Sequence, residues 1–171
     1  MAAKSRSGLL GGSKMTTKRG PRMEMPSIAP RTYAAMQDLG KSYADMGLDP
    51  ALCELLKIRA SQINGCAFCL DMHIQVARKL NISDDTIHMV AMWREAPQFT
   101  DAERVAFALC EAVTLIADGG VGDDLYRSVR EHYDEKQFLG LLTAINVINA
   151  WNRFMVAVAA VPPPRERQRP G

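Results

Sequence analysis

Apolar side chains along this chain recur at spacings of three and four, the signature of helices with one buried face. Met36, Leu39 and Tyr43 form the first such stripe and predict a helix over about Thr32 to Met46. Asp49-Pro50 marks the next start, because an acidic N-cap followed by proline suits a helix's first turn. That helix carries Leu52, Leu55, Leu56 and Ile63 and breaks at Asn64-Gly65. A third runs from near Cys66 to about Leu80. Ser83 caps a fourth, with Asp84 and Asp85 favourable in its first turn, and Pro97 lies just beyond its end.

Thr100 with Glu103 forms a capping box for a fifth helix, through Val105, Leu109, Val113 and Ile116, stopped by Gly119-Gly120. A short sixth covers about Asp123 to His132. A long seventh spans about Glu135 to Val161, where three consecutive prolines end it. No segment alternates with period two, and no repeat of solenoid length is present. The expected fold is all-α, with about six to seven helices.

The last helix is apolar enough to raise the question of a membrane. Asn146, Asn149, Asn152 and Arg153 make it a poor spanning segment. It reads as a central helix packed on several sides, across a subunit interface in an oligomer. The polar stripe of Asn146, Asn149 and Arg153 then calls for hydrogen-bond partners, with anionic substrate binding by Arg153 the functional alternative.

Composition sharpens the boundaries. The 171 residues make about one domain. The net charge of +2 is unevenly spread. Residues 1–24 hold six basic side chains and one acidic, and residues 162–171 hold three and one. The body, 25–161, keeps 12 basic and 17 acidic side chains, a net of −5. An acidic body argues against nucleic acid as a partner. The leader 1–24 and the tail 162–171 lack apolar periodicity and are expected to be disordered, with 1–14 a leader ahead of a natural start at Met15. Leu9-Leu10 is too short for the apolar segment of a secretory signal, which points to the cytoplasm. Four cysteines there are thiols, redox groups or ligands rather than a disulfide framework.

Two of them carry the chemistry. Cys66 and Cys69 are three apart at a helix start, within disulfide reach of each other. The free N–H groups and positive potential of a helix N-terminus favour a thiolate, the reactive form. His73 lies one turn beyond Cys69 and two beyond Cys66, on the same face. An imidazole there can accept a thiol proton and then pair with the thiolate.

Competing readings of the pair fail on spacing. A haem attachment needs histidine where Leu70 stands. Zinc needs about four ligands, and Cys66, Cys69 and His73 are three; Glu54, Cys53 or Cys110 would have to come from afar. A thioredoxin-like site needs a preceding strand. Glu54, on the preceding helix, is placed to hold His73 or a water once the Asn64-Gly65 turn folds the two helices together. Helix-end stabilisation marks Cys66 as the attacking thiol and the nearby histidine marks Cys69, so spacing leaves both open. Cys53 and Cys110 read as buried, inert thiols. His88 and His132 have no partner at a telling spacing, and Met89, Met92 and Trp93 read as core or pocket wall.

Glu54, the Cys66-Ala67-Phe68-Cys69 motif and His73 at these spacings closely resemble the alkylhydroperoxidase D-like group of the carboxymuconolactone decarboxylase superfamily. So do Trp93-Arg94-Glu95-Ala96-Pro97 and Asn149-Ala150-Trp151-Asn152-Arg153, and the resemblance covers about residues 28–160. It implies an all-helical fold assembled as a homo-trimer or homo-hexamer, with no cofactor and no metal. It implies thiol-dependent reduction of hydroperoxides: Cys69 attacks, Cys66 resolves, His73 deprotonates Cys69, Glu54 completes the relay, and an external dithiol or redox protein restores the pair. Family members often carry a histidine where Phe68 stands. The alternatives are a lactone decarboxylase-type lyase, against which the cysteine pair speaks, and a non-enzymatic redox-sensing or zinc-holding oligomer.

Overall fold

A computed structural model describes residues 20–165. Within them lie eight α-helices and no strand. They are α1 (Met25–Ile28), α2 (Pro30–Lys41), α3 (Pro50–Ile63), α4 (Ala67–Lys79), α5 (Asp84–Met89), α6 (Asp101–Thr114), α7 (Asp123–Arg130) and α8 (Glu135–Ala157). The start signals act as their chemistry requires. Asp49 accepts the Ala51 N–H, Ser83 accepts the Thr86 N–H, and Thr100 with Glu103 closes a full capping box. Asp134 with Gln137 closes a second box at the start of α8.

α3 is the hub, packed against α4, α6 and α8. Its Leu56 and Ile58 are fully buried with Phe107 and Leu109 of α6 and Leu141, Ile145 and Ile148 of α8 in one continuous core. Phe107 stacks on Trp93 at 5.7 Å and meets Phe99 edge-on at 5.0 Å. Gly140 lets α8 approach the chain before α3, for a Cβ there would lie 3.0 Å from Leu48 Cδ1 and 3.1 Å from Met46 Cβ.

Five expectations need correction. The first long helix covers Pro30–Lys41, not Thr32 to Met46; turns follow it, and Leu39 is exposed while Tyr33, Met36 and Tyr43 face inward. The fourth helix ends at Met89, with one 3-10 turn to Met92, well short of Pro97. The fifth stops at Thr114, leaving Ile116 exposed. The sixth stops at Arg130, short of His132. The seventh ends at Ala157, four residues before the position expected from the prolines. Ala159 takes a left-handed φ of +54° and the Ala160 N–H bonds back to the Met155 carbonyl, a reversal that halts the helix first. The four-residue α1 carries no periodic signal and was not anticipated.

Most of the basic leader and part of the tail lie outside the described residues, as does Met15. Of the leader, Arg22 donates its backbone N–H to the Val158 carbonyl at 2.7 Å and its guanidinium to Ala157 at 3.0 Å. Of the tail, Arg165 pairs with Asp71. These contacts tie residue 22 to the end of α8 and residue 165 to α4. No described helix is long and apolar enough to cross a membrane.

Candidate active site

Gly65, at φ +64°, turns the chain from α3 into α4 and delivers Cys66 to the N-cap of α4. A thiol stands where serine or aspartate usually caps. Its Sγ accepts the backbone N–H of Cys69 at 3.4 Å. Cys66 and Cys69 are both buried, and both are free thiols.

The two sulfurs are driven apart in acidity. The Cys69 S–H donates to Cys66, which favours a thiolate at Cys66; the Cys69 and Phe68 backbone N–H groups and the Asn152 amide add to this against the cost of burial. The Cys66 thiol is thereby lowered to about 7. Cys69 is raised, first because it gives its proton to that bond and then because it is buried. Cys53 and Cys110 are pushed up by burial to about 11 and about 12. Cys110 donates to the Leu56 carbonyl, as expected of an inert thiol.

Glu54 and His73 meet across α3 and α4. The His73 Nδ1–H donates to Glu54 Oε2 at 2.7 Å. Burial favours the neutral acid at Glu54, but the hydrogen bond and charge of His73 and those of Lys57 outweigh it and hold the carboxyl below its usual range. With an ionised acceptor at Nδ1, the neutral imidazole carries its proton there and leaves Nε2 free as a base. His73 makes no hydrogen bond to either sulfur. It shares a helix face with Cys69, and both line a cavity of about 550 Å³. Cys66 does not line it. Phe68, Tyr33, Trp151, Met36, Met72 and Met155 supply its largely apolar wall.

Spacing arguments missed two sets of residues. Lys57 donates to Glu54 Oε1 at 2.6 Å, its ammonium 5.6 Å from the centre of the Tyr43 ring. The only sequence signal was a Glu-Lys pair three apart. Behind the cysteines runs a buried amide ladder. Asn64 Nδ2 donates to Asn149 Oδ1 at 2.8 Å and to Asn152 Oδ1 at 2.9 Å; Asn152 Nδ2 donates to Ser61 at 3.1 Å and Asn149 Nδ2 to Thr114 at 3.0 Å. Arg153 caps it by donating to the Asn149 carbonyl at 2.8 Å. The polar stripe of α8 thus finds its partners within the chain, through Asn149 and Arg153, while Asn146 donates to Leu142 of its own helix.

Trp93 and Arg94 sit in a separate knot. Glu111 accepts from Trp93 Nε1 at 2.8 Å, from Arg59 Nε at 2.8 Å and from Arg94 Nη2 at 2.5 Å. Trp93 is core, as its pattern suggested, while Met92 is exposed. Among the described residues no three His, Cys, Asp or Glu side chains gather closely enough to hold a metal ion.

Known proteins share this arrangement of helices. The model of the carboxymuconolactone decarboxylase family matches residues 30–112. YdfG of Bacillus subtilis (strain 168), itself uncharacterized, is 42% identical over 137 residues, 80% of this chain and 93% of its own. A crystal structure from Agrobacterium tumefaciens, a protein of unknown function described as of the antioxidant defence type AhpD, superposes with a TM-score of 0.81 at 34% identity, over 85% of this chain and 99% of that one. A peroxidase-related protein of Ralstonia eutropha JMP134 with an alkylhydroperoxidase AhpD core shares the fold, with a TM-score of 0.73 at 17% identity over 81% and 74% of the two chains. With a relative 42% identical and matched over 93% of its length, and the all-helical fold reproduced, the chain belongs to the carboxymuconolactone decarboxylase family, as an alkylhydroperoxidase D-like member.

Proposed function

We propose that this protein reduces hydroperoxides with Cys66 and Cys69 and is restored by an external dithiol. The observation that carries this reading is the division of labour between the sulfurs: Cys69 lines the cavity beside His73, while Cys66 sits behind it as the more acidic thiol. His73 Nε2 takes the Cys69 proton, and the thiolate attacks the terminal peroxide oxygen. The O–O bond breaks, the alkoxide takes the proton back from His73 and leaves as alcohol, and Cys69 becomes a sulfenic acid. The Cys66 thiolate then attacks the Cys69 sulfur and forms the disulfide, and the displaced hydroxide takes a proton from solvent and departs as water. A donor thiolate attacks Cys69, the sulfur within reach, and Cys66 leaves; a lower pKa makes a better leaving thiolate. The donor's second thiol completes the exchange. One hydroperoxide and one dithiol give one alcohol, one water and one donor disulfide.

The experiment is a reductant-coupled hydroperoxide assay on wild type, Cys69→Ser and Cys66→Ser. Cys69→Ser should be inactive. Cys66→Ser should consume about one peroxide per chain and stall as a sulfenic acid or mixed disulfide at Cys69. Undiminished turnover by Cys69→Ser overturns the assignment. The homo-trimer or homo-hexamer belongs to the same proposal and is read by light scattering.

A further inference from the structure

The charge balance around the His73 base turns on a residue outside the motif. Glu54 is a single carboxylate with two partners: Oε2 takes the His73 Nδ1–H at 2.7 Å and Oε1 takes the Lys57 ammonium at 2.6 Å. All three side chains are largely buried, with 9% of Glu54, 10% of His73 and 16% of Lys57 exposed. Lys57 also lines the cavity with Cys69 and His73.

A buried lysine is an expensive way to pack this spot, since an apolar side chain of similar length would avoid desolvating the ammonium. Its effect is electrostatic. With the imidazole neutral, Lys57, Glu54 and His73 sum to zero charge. With it protonated, the trio carries +1 out of water. Without Lys57 the balance inverts: the neutral imidazole faces an unbalanced carboxylate, and protonation restores neutrality. Glu54 alone would orient His73 but also hold a second proton on it, blocking the base. Few other charges face the trio. Lys41 and Glu24 lie at the cavity's exposed rim, Tyr43 stands beside Lys57, the Cys53 thiol lies near Lys57 and Glu54, and Cys66 and Cys69 lie at the cap and first turn of α4. The α8 wall is apolar there, through Val147, Ile148, Trp151 and Met155.

We propose that Lys57 is a positioning residue of the proton relay: it cancels the Glu54 charge, so that the carboxylate fixes the His73 tautomer while Nε2 stays free to take the Cys69 proton. This rests on the hydroperoxide reductase reading of the site, but its central observable does not. Three variants are compared with wild type: Lys57→Met, Lys57→Arg and Cys69→Ser. The first measurement is the His73 imidazole titration by NMR, which needs no turnover. In Lys57→Met its midpoint should rise, the effect of an unbalanced neighbouring carboxylate. Lys57→Arg keeps the charge and should restore the wild-type midpoint.

The second measurement is the rate against pH. The acid limb of Lys57→Met should move up with the imidazole midpoint, and at high pH its rate should recover. A lysine that merely packs would lower the rate evenly at every pH and leave the imidazole midpoint in place; that result overturns the proposal, as does failure of Lys57→Arg to restore the titration. Turnover by Cys69→Ser would instead sink the reductase reading and leave the imidazole shift to decide Lys57 by itself.

Discussion

Removal of one thiol should change the acidity of the other. The first cause of the acidity of Cys66 is the S–H bond it receives from Cys69, ahead of any backbone donor. At pH 7 a thiol lowered to about 7 is half ionised. An ordinary thiol, near 8.5, would be about 3% ionised, so the site enriches the thiolate by on the order of tenfold. Cys69→Ala deletes the S–H donor but keeps the backbone N–H of residue 69. The Cys66 midpoint should therefore rise by about one unit or more, with the thiolate at pH 7 falling below about a tenth of the protein. Cys69→Ser keeps a donor in place and should stay near wild type.

Ultraviolet thiolate absorbance reads this directly, because the other three thiols are silent in the window. Cys53 and Cys110 lie at about 11 and about 12, and Cys69 is raised as well. Between about pH 5 and about pH 9 wild type should thus titrate one thiol per chain, with thiol below the midpoint and thiolate above it. Two thiols in that window, or an unmoved midpoint in Cys69→Ala, would refute the account of how the pair is polarised.

Three further substitutions test the frame around the site. Asn152→Ala removes a fully buried amide and its bonds to Asn64 and Ser61, and should cost about 2–4 kcal/mol, read as a lower urea midpoint at constant slope. A loss within experimental error would show the ladder to be idle. Gly140→Ala sets a Cβ at 3.0–3.1 Å from Leu48 and Met46; the overpacking cost of about 1–3 kcal/mol should exceed the gain of about 1 kcal/mol in helix propensity. A higher melting temperature would contradict this. Glu111→Gln should cost about 2 kcal/mol at neutral pH, because two guanidiniums lose their carboxylate. Burial raises the Glu111 carboxyl, but Arg94, Trp93 and Arg59 outweigh it and hold it low. Its contribution is therefore present above the ordinary glutamate value and fades as pH falls through the folded one, and the gap between wild type and Glu111→Gln should close below about pH 4; a constant gap rules out a charged role.

The local code of this chain is legible wherever a cap or turn decides the outcome. Asp49, Ser83, Thr100 and Asn64-Gly65 each act within a few residues, so the helix starts they predict are the ones found. Helix ends were harder. Ala159 adopts a conformation that favours glycine, and only tertiary contacts select it. Leu39 and Ile116 fit an apolar period yet face outward, since a stripe shows which side is apolar but not how far the neighbouring helices extend. The Cys66, Cys69 and His73 constellation could be read because it lies on one helix; Glu54 could be read because a single tight turn joins its helix to theirs. The amide ladder could not: Asn64 and Asn149 are 85 positions apart, and nothing local brings them together. Lys57 was hidden for the opposite reason, as a lysine three residues from a glutamate usually marks a solvated surface pair.

In the proposed relay a thiolate and a base make opposite demands on their surroundings, and the residues assigned to them lie two turns apart. A thiolate wants donors and positive potential. A base held by a carboxylate wants negative charge enough to orient it, but not enough to saturate it with protons. One helix cannot meet both demands from its own side chains without the charges cancelling. The fold separates their sources. Cys66 draws on the backbone of α4 itself, whose N-terminal N–H groups supply positive character without a cationic side chain. His73 draws on α3, through a carboxylate that faces a cation on its far oxygen. The arrangement works only while α3 and α4 keep their register. The Asn64 amide bonded to Asn149 and Asn152 pins the turn between them to α8. The amide ladder thus touches the pair only through the Asn152 amide at Cys66, yet a slip in it would move donor, base and both sulfurs relative to one another at once.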